Sequence, residues 1–167
     1  TICAGDISDF IAAPSGMDNY TFYINGIVQA SDTSSLFTTN LLTSGDSITA
    51  IGTNLGCTSL LSNELIADVN PLPTLNYFVD TVCEGNSTLF TDSSWTNITT
   101  RYWSFGDGDS SYGSTVQHLY LAPGTYTASL TVTDANGCIN SNAFDVIIRP
   151  KPIADFSATP QTTTILN

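Results

Sequence analysis

Two stretches of this chain spell out one plan about eighty residues apart. Thr1-Ile-Cys-Ala-Gly-Asp6 returns as Thr81-Val-Cys-Glu-Gly-Asn86, and Asn54-Leu-Gly-Cys57 returns more loosely as Ala135-Asn-Gly-Cys138. Pro71-Leu-Pro73 reappears as Pro150-Lys-Pro152, so three landmarks are shifted by 79 to 81 positions. Self-similarity at a fixed period marks a modular array, in which each unit is small and contacts its neighbours in series. The division is 1–72, 73–150, and a truncated further module at 151–167 that opens with Pro152-Ile-Ala-Asp-Phe156.

Cysteine spacing follows the same division. Cys3 and Cys57 are 54 positions apart and Cys83 and Cys138 are 55, so the economical expectation is one disulfide inside each module. Closing a loop of that size removes roughly 4 kcal/mol of unfolded-chain entropy in the usual model. Metal clusters need close-spaced Cys or His, and the chain has no Cys-x-x-Cys and a single histidine, His118. Disulfides imply an oxidising compartment.

No segment holds a helical period, whereas short runs of Thr, Tyr, Ile, Val and Phe alternate with Gly, Asn, Asp and Ser. The fold class is therefore all-β, as tandem immunoglobulin-like sandwiches. In the first module Tyr20–Ile24 meets Ile27-Val28 through Asn25-Gly26, the dipeptide that accepts positive φ at both centres of a type I′ hairpin. Further strands are expected at Ile7–Ala12, Leu36–Thr39, Ser47–Thr53 and Leu60–Val69. In the second module Tyr126, Ala128, Leu130 and Val132 fall on one face, and Phe144, Val146 and Ile148 repeat the pattern. Leu89, Trp103 and Phe105 should supply the covering sheet.

Charge narrows the partners. Fifteen acidic residues face three basic ones, Arg101, Arg149 and Lys151, for a formal charge of −12. Such a surface cannot neutralise a phosphate backbone or an anionic bilayer, which argues against nucleic acid and direct membrane insertion. No apolar run reaches the roughly 18 to 20 residues of a membrane span, and the chain reads as a slice of a longer soluble protein. Charged residues are 11 % while Ser and Thr number 44, a hydroxyl-rich composition that suits secreted β-structure.

Trp103-Ser-Phe-Gly-Asp-Gly108, His118-Leu-Tyr120, Pro123-Gly-Thr-Tyr126 and Leu130-Thr-Val-Thr-Asp134 together resemble the PKD (polycystic kidney disease) domain, over roughly Leu75 to Arg149. The resemblance implies an immunoglobulin-like β-sandwich. Most such domains lack the cysteine pair carried here. The first module, through Ile2-Cys-Ala-Gly-Asp6 and Tyr23-Ile-Asn-Gly26, resembles the immunoglobulin-like repeats found beside PKD domains in long surface proteins of Bacteroidota. The resemblance implies export by type IX secretion and a place among surface and gliding adhesins.

Catalysis lacks an inventory. His118 falls in the family's strand pattern beside Tyr120, and no serine occupies a Gly-x-Ser-x-Gly elbow. Asp107 and Asp109 flank Gly108 in a turn, where Asp side chains cap backbone N–H groups. No cofactor is expected. Calcium is the one weak candidate, with Asp107, Asp109 and Asp134 as oxygen donors. Trp95, in the polar stretch Ser93–Asn97, with Tyr102 and Tyr112, could present planar rings to a polysaccharide. Asp46-Ser47-Ile48 and Asp80-Thr81-Val82 fit the O-glycan acceptor pattern of Bacteroidota and make Ser47 and Thr81 modification candidates.

The expected function is mechanical. Pro-x-Pro connections favour extended, stiff joints, and acidic, Lys-poor faces keep neighbouring copies apart. The leading reading is a stalk or filament segment of a large secreted adhesin on the cell surface. Its partners would be neighbouring repeats of the same chain, with surface polysaccharide or other cell-surface proteins beyond them. The alternative is an accessory module that orients substrate for a secreted polysaccharide- or protein-degrading enzyme. A third expectation makes the tail 153–167 a strand donated to a neighbouring subunit.

Overall fold

A computed structural model describes residues 2–157 of the chain, and among them every regular element is a strand. In chain order they are β1 (Ile2–Cys3), β2 (Ser8–Ile11), β3 (Asn19–Ile24), β4 (Ile27–Asp32), β5 (Leu36–Thr39), β6 (Ser47–Asn54), β7 (Cys57–Thr58), β8 (Leu65–Ile66) and β9 (Val69–Asn70). There follow β10 (Tyr77–Val79), β11 (Thr88–Asp92), β12 (Ile98–Ser104), β13 (Ser110–Tyr112), β14 (Thr115–His118), β15 (Gly124–Asp134) and β16 (Ile139–Ile148). Contact density groups the chain into two compact units. Among the described residues, one gathers 2–75 with Ser94–Thr100 and Thr131–Ser141; the other holds Asn76–Ser93, Arg101–Leu130 and 142–157.

In the first unit Asn25 (φ 50°) and Gly26 (φ 75°) take the left-handed turn that asparagine and glycine tolerate, and β3 and β4 pair across it. β3 also pairs with β6, giving a sheet ordered β4-β3-β6-β7 with β8 beside β6, while β2 and β5 form a separate antiparallel pair. Alternate residues of β3 and β5 turn inward, so Tyr20, Phe22 and Phe37 form one cluster and the Phe22 and Phe37 rings stack at 5.3 Å. Leu42, Ile48 and Val69 form a second cluster, joined by Ile2, Ala4 and Ile24.

The expected strand Leu60–Val69 is only partly formed, as β8 and β9. Ser59 and Ser62 explain the interruption. Their hydroxyls accept hydrogen bonds from the Gly52 and Ala50 amides of β6, at 3.0 and 2.9 Å, in place of a regular ladder.

The second unit carries the expected alternation. Along β15 Ala128 and Leu130 are buried and Tyr126 half-buried between exposed or half-exposed neighbours, and Val146 and Ile148 are buried on β16. Trp103, Phe90 and Phe105 pack as a ring cluster, with Trp103 5.4 Å from Phe90 and Phe90 5.0 Å from Phe105. Trp103 donates its indole N–H to the Gly113 carbonyl at 3.0 Å, so the buried ring keeps a partner for its one polar atom. Leu89 was expected in this core. Phe90 takes that place, because β11 turns Thr88, Phe90 and Asp92 inward and leaves Leu89 on the outer face, a register difference of one residue. Asp92 is fully buried and paired with Arg101 at 2.6 Å. The sheets built from residues after Asn76 run β10-β11-β14 and β13-β12-β15-β16.

The repeat seen in the sequence is also a repeat of backbone. At the head of the first, Ala4 N–H donates to the Asn70 carbonyl (2.8 Å) and Asp6 N–H to the Cys3 carbonyl (3.0 Å), as β1 pairs in parallel with β9. At the head of the second, Glu84 N–H donates to Arg149 (2.9 Å) and Asn86 N–H to Cys83 (3.2 Å), and Cys83 bridges Arg149 in parallel. Gly5 and Gly85 sit at φ 88° and 79° in these turns. Likewise Cys57 and Cys138 each follow a glycine of positive φ, Gly56 and Gly137, at a hairpin turn.

The disulfide corrects the expected pairing. Cys3 is bonded to Cys138, with Cα atoms 5.5 Å apart, while Cys57 and Cys83 are free thiols. The pairs Cys3–Cys57 and Cys83–Cys138 do not form, and chain path supplies the reason. Ile2 and Ala4, which flank Cys3, pack against the Leu42–Ile48–Val69 cluster near the start of β6, whereas Cys57 lies opposite Asn54 at its end. Six residues of strand put those ends roughly 20 Å apart, far beyond the ~7 Å limit for bridged Cα atoms. Cys83 and Cys138 lie likewise at the two ends of β16, one at Arg149 and the other just before Ile139.

Residues 151–157 form no strand, and Ile153 and Phe156 are 94 % and 92 % exposed. The expected further module and donated strand rest largely on 158–167, outside the described residues.

Candidate functional site

The Phe105–Asp109 turn between β12 and β13 is where the candidate chemistry gathers. Phe105 N–H donates to the Asp109 carbonyl (3.0 Å) and Asp109 N–H to Asp107 Oδ1 (3.1 Å), so the carboxylate caps its own turn. The other oxygen, Oδ2, lies 2.6 Å from His118 Nε2 on β14. An ionised carboxylate only accepts, so Nε2 carries the proton of this bond. The imidazole is fixed on its faces as well, stacked on Phe105 at 4.1 Å and edge-on to Tyr120 at 4.6 Å. Tyr120 in turn donates its hydroxyl to the Phe105 carbonyl at 2.8 Å.

Electrostatics follow from these contacts. Burial raises the Asp107 carboxyl, but the hydrogen bonds from His118 and the Asp109 amide, with the attraction of His118, hold it below the ordinary aspartate value. Burial pushes the Tyr120 phenol well up, with smaller contributions from Asp107 and Tyr126. A depressed carboxyl contributes stability that is complete above its unfolded value and is lost as pH falls through its folded value. Asp107→Asn should therefore cost about 1 kcal/mol at pH 7, the low end for a charge-assisted bond that solvent reaches. Urea melts should show this gap closing as the pH is taken below that of ordinary aspartate titration. A gap that persists there would mean the asparagine disturbs packing and not charge.

Ligand atoms of Asp107, Asp109 and His118 lie within 4.8 Å of one another. Two of the three calcium candidates thus come together, and His118, a residue of the strand pattern, joins them. The third does not join them. Asp134 is buried and its Oδ1 accepts from the Asn136 and Cys138 amides, both at 2.9 Å, which caps the turn before β16. Two carboxylates and an imidazole are fewer oxygens than the six to eight that calcium takes, and the Asp107–His118 bond already uses the group's inner donors.

Of the ring candidates, Tyr102 and Tyr112 are cross-strand partners on β12 and β13 with centroids 5.1 Å apart, and Tyr112 is 69 % exposed. The two rings are tilted by 53° to each other. Trp95, 57 % exposed, belongs to the first unit, where its backbone bridges Thr74.

The modification candidates also separate. Ser47 is half-buried on β6 with its hydroxyl bonded to Glu64, and the preceding Asp46 is engaged by the Thr43 amide and Asn25. Thr81 is exposed and outside any strand, open to an enzyme.

The family model described as PKD domain matches residues 69–148, which is 80 of the 167 residues. Collagenase ColA of Clostridium perfringens is 40 % identical over 52 residues, 30 % of this chain, and the match spans 5 % of the collagenase. Among solved structures, the PKD1 domain of the Vibrio cholerae metalloprotease PrtV is 26 % identical, covering 47 % of this chain and 98 % of that domain, with a TM-score of 0.43. The PKD1 domain of Vibrio anguillarum Epp is 28 % identical over 48 % of this chain and 96 % of its own, with a TM-score of 0.44.

Proposed function

We propose, from the PKD domain at residues 69–148, that this chain is a non-catalytic spacer of a secreted, repetitive surface protein, a stalk or filament segment of an adhesin such as those that serve gliding. One observation carries the reading: the same cysteine-bearing head turn, with the same backbone hydrogen bonds, is built at Cys3 and again at Cys83. Repetition of a folded unit gives reach without requiring a pocket. A disulfide suits an oxidising, extracytoplasmic setting. Among the described residues no helix is long and apolar enough to cross a membrane. Neighbouring repeats are the proposed partners, with polysaccharide or other surface proteins engaged elsewhere in the parent chain.

A second reading is favoured by the identity with the collagenase segment: an accessory module that orients a macromolecular substrate for a secreted hydrolase. Trp95 and the Tyr102–Tyr112 pair are the surfaces it would use. Retention on chitin, cellulose and collagen resins separates the two readings. The spacer reading expects no specific retention, and Trp95→Ala and Tyr112→Ala should elute with the unmodified chain. Specific retention that falls tenfold or more in either variant would replace it with the accessory module.

A further inference from the structure

We propose that Cys57 and Cys83 are the two open halves of a staggered disulfide ladder, in which the head cysteine of each repeat is bonded to the tail cysteine of the next. The inference rests on the array reading above and goes beyond it by naming the covalent partners. Its premise is the observed bond. Cys3 is the head cysteine of the first repeat and Cys138 the tail cysteine of the second.

The two unbonded sulfurs occupy the sequence positions of the bonded ones, Cys83 in the same backbone setting as Cys3 and Cys57, like Cys138, just after a hairpin turn. Cys83 repeats the head turn of Cys3, with its parallel pairing to the segment before Pro150 and its positive-φ glycine two residues on. It is half-buried, as Cys3 is. Cys57, like Cys138, follows a positive-φ glycine at the end of a hairpin turn, of two residues (Leu55-Gly56) where Cys138 closes one of three (Ala135–Gly137). Exposure separates them: Cys138 is 0 % exposed with its disulfide in place, whereas Cys57 is open to solvent. A position that is covered where its partner is present, and bare where it is not, has the character of an unfilled joint.

Pairing within a repeat is closed to both thiols by the strand-length separations given above. The head cysteine of a repeat lies beside the segment that leads into the Pro-x-Pro connector, next to Asn70 in one case and Arg149 in the other. That position favours the following repeat as partner. Cys83 is accordingly assigned to the tail cysteine of the repeat after it, and Cys57 to the head cysteine of the repeat before it.

Each bond forms by thiol–disulfide exchange. The two thiols lose two protons and two electrons, and the disulfide of an extracytoplasmic dithiol oxidoreductase accepts them and leaves as a dithiol. The same class of catalyst must oxidise Cys3 and Cys138.

The test is peptide mapping of the full parent chain, purified from its own host, alkylated before denaturation and digested without reduction. The expected result is the Cys57 peptide linked to a head-turn peptide that precedes residue 1, and the Cys83 peptide linked to a Gly-Cys peptide that follows residue 167. In a Cys83→Ser parent chain, one tail cysteine of the following repeat should become alkylatable and no other. Alkylated Cys57 or Cys83 in a parent flanked by cysteine-bearing repeats, or either sulfur bonded to the other or to a second molecule, overturns the ladder and leaves the spacer reading intact. A parent with no flanking repeats overturns both.

Discussion

Gly106→Ala is expected to cost about 4 kcal/mol or more, enough to leave residues 69–148 largely unfolded at 37 °C. Two separate penalties meet at this position. Its φ of 84° is a conformation that a side chain enters only with strain of order 1–2 kcal/mol. In addition, a Cβ would stand 2.4 Å from the Thr127 carbonyl oxygen and 2.9 Å from its nitrogen. Those atoms belong to β15, a strand whose inward residues Ala128 and Leu130 lie in the core, so it cannot step aside without moving them. Gly108 is the internal control. Its φ is 104° but nothing lies within 4 Å of a Cβ there, so Gly108→Ala should lose only the strain, about 1–2 kcal/mol. Urea denaturation of both variants measures the difference. Equal losses would show that the close approach of the turn to β15 is not what demands a glycine.

That comparison also shows why a Phe-Gly-Asp-Gly turn is legible in a sequence. Its first glycine is demanded by sterics, and its aspartate by the unpaired amide of Asp109. Strand faces were readable for the same sort of reason. The Tyr126 to Val132 alternation matches the period of a strand, and Asn25-Gly26 has a restricted set of turns. Where local chemistry was ambiguous, expectation and structure part. Thr88-Leu-Phe-Thr-Asp offers an apolar residue to either face, and only the packing of Phe90 on Trp103 decides the register. His118 could be assigned to structure from its pattern, but not to Asp107, because eleven residues and a crossing from one sheet to the other separate them. Asp134 had the composition of a cation ligand, and its carboxylate is consumed by two amides four residues or fewer away.

Reading the disulfides from spacing failed for a physical reason that the repeat itself contained. Cys3 can pair with Cys57 or Cys138, both tail cysteines after a glycine, and the arithmetic of loop length prefers the nearer. Chain path does not, because β1 folds back beside β9 and carries Cys3 away from the β6–β7 turn. A pairing rule built on proximity in sequence contains no term for where a strand begins and ends.

The cysteine variants therefore give the second large expected effect and a clean contrast. Cys3→Ser opens a loop of 135 residues, whose closure is worth about 4–5 kcal/mol in the chain-entropy account. For a chain of this size that corresponds to a fall in Tm of roughly 10 °C or more. Cys138→Ser should lose at least as much, since its sulfur is fully buried and the replacing hydroxyl must find a partner there. Cys57→Ser in this 167-residue chain should change stability by less than about 0.5 kcal/mol, as expected of an exposed side chain that bonds to nothing. Dithiothreitol should lower the Tm of the unmodified chain to that of Cys3→Ser and leave the variant where it is. Pairing within each repeat requires the opposite pattern, with Cys57→Ser as damaging as Cys3→Ser and a second drop on reducing either one. Thermal melts of the four single variants, with and without reductant, decide between the two connectivities, because only one of them makes Cys57 and Cys83 silent.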